Sequence, residues 1–177
     1  MRNHTETGAG RVALVGVLAA LSLIALYLSA VSLTARMGIV AIAGLFPAGA
    51  VVSAGLKAGF FCYGAAGLLG LLLVPDKANA LLYLLFFGLW PMLKSLLERI
   101  PARPLEWLCK LAVFNAVLSL FWFGLHSLFL PFLPETLQAP WMVYAAGNAA
   151  FVIYDVGFSK LISFYVARVD RVLRKTS

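Results

Sequence analysis

The stretch VALVGVLAALSLIALYLSAVSL, residues 12–33, decides the fold class of this chain because it is long, apolar and free of charge. A helix rises about 1.5 Å per residue, so this stretch is long enough to cross a hydrocarbon layer about 30 Å thick. Five more apolar segments of similar length follow it. We therefore predict an all-α, polytopic integral membrane protein, a six-transmembrane-helix bundle that forms a single domain over residues 1–177. The predicted spans are residues 12–33, 38–56, 58–74, 80–97, 111–130 and 141–161, followed by a basic cytoplasmic tail, residues 162–177.

Composition supports lipid as the solvent of this chain. The 177 residues are 63% hydrophobic and 12% charged, which is more apolar surface than one water-soluble core of this size could hide. The net charge is +7. Because the basic residues lie at the ends of spans, they favour the anionic lipid of the inner leaflet as a partner and not nucleic acid.

The basic residues also sort by side. Of 14 Lys and Arg residues, only Arg36 and Lys77 fall on one side of the predicted alternation. Basic residues stay cytoplasmic during insertion, so both termini are expected in the cytoplasm of a multi-pass protein of the cell membrane, a prokaryotic cytoplasmic (bacterial inner) membrane.

Two features interrupt or connect the spans. Pro47 and Pro91 lie inside spans two and four, where they are expected to kink the helices and free carbonyls that neighbours must satisfy. The charged connection around residues 94–110 is expected to lie on the membrane surface or to dock a cytoplasmic partner. Within it, Glu106 and Lys110 have the i,i+4 spacing of a helical ion pair.

Spans five and six each carry a polar stripe along one helix face. The stripe of span five is Asn115, Ser119, Trp122 and His126, and that of span six is Tyr144, Asn148, Asp155 and Ser159. The two spans form an antiparallel hairpin, so the stripes can share a polar interior. Counting from the span ends places His126 level with Asn148, and Asn115 level with Asp155.

These stripes supply the candidate site residues. Trp122, His126, Tyr144 and Asn148 suit the binding of a small, mostly neutral ligand. Asn115, Asp155 and Ser159 form a second, polar group with a coupling or structural role.

Two of these residues have several readings. Asp155 is the acidic residue well inside a span, and an ionised carboxylate there costs about 2.5–3.5 kcal/mol. It is a structural clamp, a proton-sensitive coupling site or a substrate contact. His126 is a structural hydrogen-bonding group, a ligand contact or a proton relay, and it has no partners in the sequence for a metal site.

Small residues recur on span one, where they mark close helix approach. Gly16, Ala20, Ala25 and Ser29 either pack within this bundle or form the docking face for a second membrane protein.

Enzyme motifs are not found: the sequence has no HExxH, no GxSxG and no P-loop. We therefore expect a protein that is not an enzyme, with no catalytic residue, no metal and no cofactor, whose energy input comes from a partner or a gradient.

The six short spans, the small-residue ladder of span one and the stretches GLFPAGAVVSAGLKAG and YLLFFGLWPMLK resemble those of the S-components of energy-coupling-factor (ECF) vitamin transporters. That resemblance covers the whole chain as architecture. It implies binding of a vitamin-like micronutrient near the outer side, a transmembrane coupling subunit docked on span one, and transport driven by two partner ATPases. The outer loop from Thr34 to Met37 departs from the family, since it is short for a lid.

The sequence leaves four functions open. The first is a substrate-capturing membrane subunit of a small-molecule uptake system without its own ATPase. The second is a non-catalytic scaffold or interaction protein of the cell envelope. A standalone channel or carrier and an intramembrane enzyme are the others.

Overall fold

A computed structural model describes residues 8–32, 34–129 and 139–175. Within these ranges the regular structure is entirely helical, and six helices are long and apolar enough to cross a membrane. The α-helices are α1 (Gly8–Val31), α2 (Arg36–Ala43), α3 (Leu45–Ala54), α4 (Leu56–Leu73), α5 (Lys77–Leu82), α6 (Trp90–Leu97), α7 (Arg103–Ser119), α8 (His126–Phe129) and α9 (Pro140–Lys175). Two π-helical turns occur at Tyr83–Phe87 and Leu120–Gly124.

The prediction of an all-α chain with six membrane-length helices is confirmed. The observed spans are Gly8–Val31, Arg36–Ala54, Leu56–Leu73, Lys77–Leu97, Arg103–Gly124 and Pro140–Ala167. Most therefore begin a few residues earlier than predicted, since charged and polar residues at their starts continue the helices. The predicted ends at Leu33 and Leu130 lie outside the described residues.

The helices group into two compact units, residues 1–110 and 111–177. The first unit contains spans one to four and the start of α7. Span four is the core element of this unit. Of its membrane-length apolar stretch, 56% is buried, compared with 28% to 33% of the corresponding stretches in the first three spans. Tyr83, Trp90 and Met92 of span four are fully buried.

The turn between spans two and three lies at Gly55, two residues before the predicted boundary at residue 57, between spans 38–56 and 58–74. Gly55 has φ +90°, the left-handed region that side chains disfavour. The chain reverses there without any longer loop.

Span two is broken at Gly44, as the proline at position 47 predicts. Pro47 has no N–H, so the carbonyl of Ala43 loses its helical donor. The Ser22 hydroxyl of α1 donates to that carbonyl at 2.9 Å and lies 3.0 Å from the Tyr83 hydroxyl. Since Ser22 has one proton, Tyr83 donates to Ser22 when Ser22 donates to Ala43. This chain of hydroxyls confirms that a neighbouring span satisfies the freed carbonyl.

Span four is also interrupted, next to the break in span two at Gly44. Gly88 N–H donates to the Tyr83 carbonyl at 2.8 Å, which closes the first π-helical turn. Pro91 lies in the first turn of α6 and removes the helical donor of the Phe87 carbonyl. A Cβ on Gly44 would overlap this carbonyl, so only glycine lets the breaks in spans two and four approach this closely.

Arg36 and Lys77 lie on the opposite side of the predicted alternation from the other basic residues. Both bind groups of the first unit. Lys77 Nζ donates to the carbonyls of Leu71 at 2.7 Å and Val74 at 2.9 Å, which caps the end of α4. Arg36 lies 3.6 Å from Asp76. Both cations therefore have polar partners within the first unit.

Candidate functional site

The candidate site is the polar seam between α7 and α9 in the second unit. Side-chain hydrogen bonds join Asn115 to Asn148 and Ser119 to Tyr144 across the two helices. Ser119 follows Asn115 by four residues on α7, whereas its partner Tyr144 precedes Asn148 by four residues on α9. This confirms an antiparallel pair whose polar stripes face each other.

The Asn115 and Asn148 amides form a reciprocal pair. Each nitrogen donates to the other's oxygen, at 2.9 and 3.0 Å. The second hydrogen of Asn115 goes to the Leu111 carbonyl at 2.8 Å, and that of Asn148 goes to the Tyr144 carbonyl at 2.8 Å. An amide has two donor hydrogens, so both donors of both residues are used inside the hairpin.

The Ser119 and Tyr144 hydroxyls lie 2.6 Å apart, one turn further along the seam. The two hydroxyls have two O–H hydrogens, and the bond between them uses only one, so one O–H hydrogen is free to bind another group. No other partner for that hydrogen is found among the described residues. Both side chains are half-buried, so this donor lies at the edge of the seam.

Directly after Ser119 the helix widens into the second π-helical turn. Leu125 N–H donates to the Leu120 carbonyl at 3.2 Å, and Leu125 then leaves the helical conformation with φ −126°. Single π-helical turns are frequent at functional sites because they displace side chains from the regular helical face. Here the turn carries the half-buried Trp122.

Trp122 and His126 contact each other at this end of the seam. Their rings are 5.0 Å apart between centroids and nearly perpendicular, at 87°. Such an edge-to-face pair is a favoured aromatic arrangement. His126 itself is exposed. We refer to Ser119, Trp122, His126 and Tyr144 as the aromatic end of the seam.

The other end of the seam is tightly packed. The Phe114 and Phe151 rings stack at 4.5 Å and 11°. A Cβ on Gly147 would come within 3.2 Å of Leu118, so the two helices approach closely at this point. The amide pair thus lies in a compact part of the hairpin.

Both predicted levels of the hairpin are wrong: Asn148 lies level with Asn115, which is eleven residues before His126 and differs by seven residues from the predicted partner Asp155. Asn115 pairs with Asn148 and not with a residue near Asp155. The depth estimate assumed spans ending at Leu130 and starting at Trp141, whereas α7 is already interrupted after Ser119. Seven residues are two helical turns, so the correct face was predicted but not the level.

The structure places Asp155 and Ser159 further along α9. The Asp155 side chain is 2% exposed. Ser159 donates to the Asp155 backbone carbonyl at 2.9 Å, so its hydroxyl is bound to its own helix. Neither residue belongs to the aromatic end of the seam.

The four small residues of span one divide between two faces. Ala25 and Ser29 are buried, and Ser29 donates to the Leu26 carbonyl at 2.6 Å. Gly16 and Ala20 are exposed. Any partner docking on span one therefore rests on Gly16 and Ala20.

A network of charges in the first unit was only partly anticipated from the sequence. Lys110 pairs with Glu106 at 2.7 Å, as the spacing predicts, and also with Glu98 at 3.3 Å. Lys94 pairs with Glu98 at 2.8 Å. The Lys94–Glu98 pair has the same i,i+4 signal in the sequence, whereas Glu98–Lys110 is a contact between helices that spacing does not reveal.

A second unanticipated group is Asn79, in the first unit. It is fully buried, and neither polar atom of its side chain has a hydrogen-bond partner among the residues that the structure describes. The predicted span begins at Ala80, so Asn79 lies just outside it. The observed helix starts at Lys77 and carries Asn79 into the core.

Comparisons of this chain with protein-family models, with curated proteins and with solved structures find no significant match.

Proposed function

We propose that this chain is a non-catalytic, substrate-capturing subunit of a small-molecule uptake system in a prokaryotic cytoplasmic membrane. The observation that carries the proposal is the aromatic end of the seam. There a spare hydroxyl donor, an indole and an exposed imidazole occur within two turns of helix. A few placed polar groups among aromatic surfaces are typical of sites for small ligands.

The residues divide by role in this proposal. Trp122, His126 and Tyr144, with Ser119, contact the ligand. Asn148 was predicted as a ligand contact, but its donors are used by Asn115 and Tyr144, which supports a structural role. The amide pair would hold the two helices in register beneath the binding groups.

The experiment compares the small molecules that co-purify with each variant. Protein purified in mild detergent is extracted with organic solvent, and the released compounds are identified by mass spectrometry. A compound enriched with the wild type should be lost in Trp122→Ala and His126→Ala. Phe123→Ala is the matched control, since Phe123 lies in the same π-helical turn and is 79% exposed. Equal retention in all four proteins would overturn the proposed site.

The orientation proposed for the chain has both termini in the cytoplasm. It is tested by cysteine labelling in a Cys109→Ser background. A cysteine at Thr34 should react with an impermeant reagent in intact cells, and one at Arg103 only after permeabilisation. The reverse pattern would refute this orientation.

A second candidate function is a scaffold for other membrane proteins. It is favoured by exposed small residues, which let a partner helix approach closely. These are Gly16 and Ala20 on α1 and Ala145, Ala146, Ala149 and Ala150 on α9.

The two candidates differ in what co-purifies. An uptake subunit should bring a transmembrane coupling subunit and ATPases, and a scaffold should bring other membrane proteins without ATPases. Gly16→Leu and Ala20→Leu should reduce that association if α1 is the docking face. Val17→Leu is the control, because Val17 is 58% exposed and already bulky.

A further inference from the structure

The connection between spans four and five carries more positive than negative charge. We call residues 94–110 the elbow. It contains four basic residues and two acidic ones: Lys94, Arg99, Arg103, Lys110, Glu98 and Glu106. How these charges pair decides where the surplus lies.

The two lysines are buried and face the two glutamates. The Lys94 side chain is 3% exposed and that of Lys110 is 2% exposed. A buried ammonium group needs a counter-charge, because removing it from water is costly. Glu98 bridges both lysines at 2.8 and 3.3 Å, and Glu106 adds a contact to Lys110 at 2.7 Å. The acidic charge of the elbow is therefore held by the lysines.

The surplus positive charge of the elbow lies on its two arginines. Arg99 and Arg103 are exposed, and neither forms an ion pair or side-chain hydrogen bond with the part of the chain that the structure describes. Arg99 lies in the turn after α6, and Arg103 begins α7. A guanidinium group presents a planar fork of donors that matches two phosphate oxygens.

The helix that starts at Arg103 continues with exposed apolar residues. Leu105 is 49% exposed and Leu108 is 65% exposed. At about 1.5 Å per residue they lie roughly 3 and 7.5 Å beyond Arg103 along the helix axis. The helix thus begins with a cation and continues with exposed leucines. A lipid has the same order of groups, with its phosphate above its acyl chains.

We propose that Arg99 and Arg103 form a docking surface for the phosphate of an anionic phospholipid. The lipid phosphate completes the charge balance that the glutamates cannot supply, since Lys94 and Lys110 already hold them. The exposed leucines lie on another face of α7 and contact acyl chains of the surrounding lipid. This surface does not depend on the proposed uptake function.

The test is lipid retention by the full chain in nanodiscs of equal phosphatidylglycerol and phosphatidylcholine. After transfer to mild detergent, retained lipids are counted by native mass spectrometry. Each basic residue near an anionic surface contributes about fivefold in affinity, so Arg99→Gln with Arg103→Gln should reduce phosphatidylglycerol retention by roughly 25-fold. Arg11→Gln with Lys160→Gln removes the same net charge from α1 and α9, so it distinguishes a specific surface at Arg99 and Arg103 from a general effect of positive charge; an equal loss of phosphatidylglycerol in both double variants would contradict the proposal.

Three other outcomes would also overturn the proposal. One is unchanged phosphatidylglycerol retention in the double arginine variant while its helical circular dichroism matches the wild type. Another is displacement of the lipid by millimolar inorganic phosphate, which would make free phosphate the ligand. The third is loss of a soluble protein partner from the arginine variant with lipid retention unaffected.

Discussion

Asn115 and Asn148 face each other across the hairpin, and each side-chain amide donates one hydrogen to the other and one to its own helix. Removing either residue leaves the other with an unpaired donor and acceptor. Single hydrogen bonds between membrane helices contribute about 0.6 kcal/mol on average and up to 1.7 kcal/mol. The reciprocal pair is therefore expected to stabilise the hairpin measurably.

A double-mutant cycle tests this pair. Asn115→Ala and Asn148→Ala should each lower the free energy of unfolding by about 1–2 kcal/mol, because each leaves a half-buried amide with an unpaired donor and acceptor. The double variant should lose less than the sum of the two, since no unpaired amide remains. Unfolding is followed by circular dichroism in detergent. Additive losses would contradict direct coupling.

The hydrogen-bond chain of Ser22 and Tyr83 predicts that substitutions at these two residues lower the free energy of unfolding by different amounts. Ser22→Ala leaves the Ala43 carbonyl without its donor and should lower the free energy of unfolding by about 1–3 kcal/mol. Tyr83→Phe leaves the Ser22–Ala43 bond in place and should cost less. Thermal unfolding of the two purified variants checks the order, and a larger loss for Tyr83→Phe would refute it.

Gly44 predicts a steric effect at the contact between spans two and four. In Gly44→Ala the added methyl group overlaps the Phe87 carbonyl, so the backbone must shift at a cost of about 1–3 kcal/mol. Gly38→Ala is the control in the same span, because a Cβ there meets nothing within 4 Å. The comparison is made by thermal unfolding in detergent. Equal melting temperatures for both variants would show that the spans are not in such close contact.

Asn79 predicts a stabilising substitution. An unpaired buried amide costs about 1–3 kcal/mol, so Asn79→Leu, which has a similar volume, should raise the melting temperature. Ser29→Ala serves as a comparison, since it removes a buried polar group that does have a partner. A lower melting temperature for Asn79→Leu would show that the amide is satisfied in the membrane.

The sequence predicted those features that depend on periodicity along one helix. Asn115 and Ser119 of span five do face Asn148 and Tyr144 of span six, because residues four apart project from the same side of a helix. The break at Pro47 was also predictable, since proline always removes one donor. The Glu106–Lys110 pair follows from the same spacing.

Features that depend on contacts between helices were not predictable in this way. The level at which Asn115 meets Asn148 depends on the π-helical turn after Ser119, and LFWFG reads as ordinary helix in sequence. The donor that satisfies Ala43 is 21 residues away on another span. Asn79 was missed because helix α5 starts three residues earlier than the predicted span.

The bond from Ser22 to Ala43 also bears on biogenesis. A chain made from its N-terminus delivers span one to the bilayer before span two, so the serine donor is present when the segment with the missing amide hydrogen arrives. Tyr83 joins later, when span four enters, and completes the chain of hydrogen bonds. The order of synthesis thus protects the broken segment from lipid before the rest of its unit has been made.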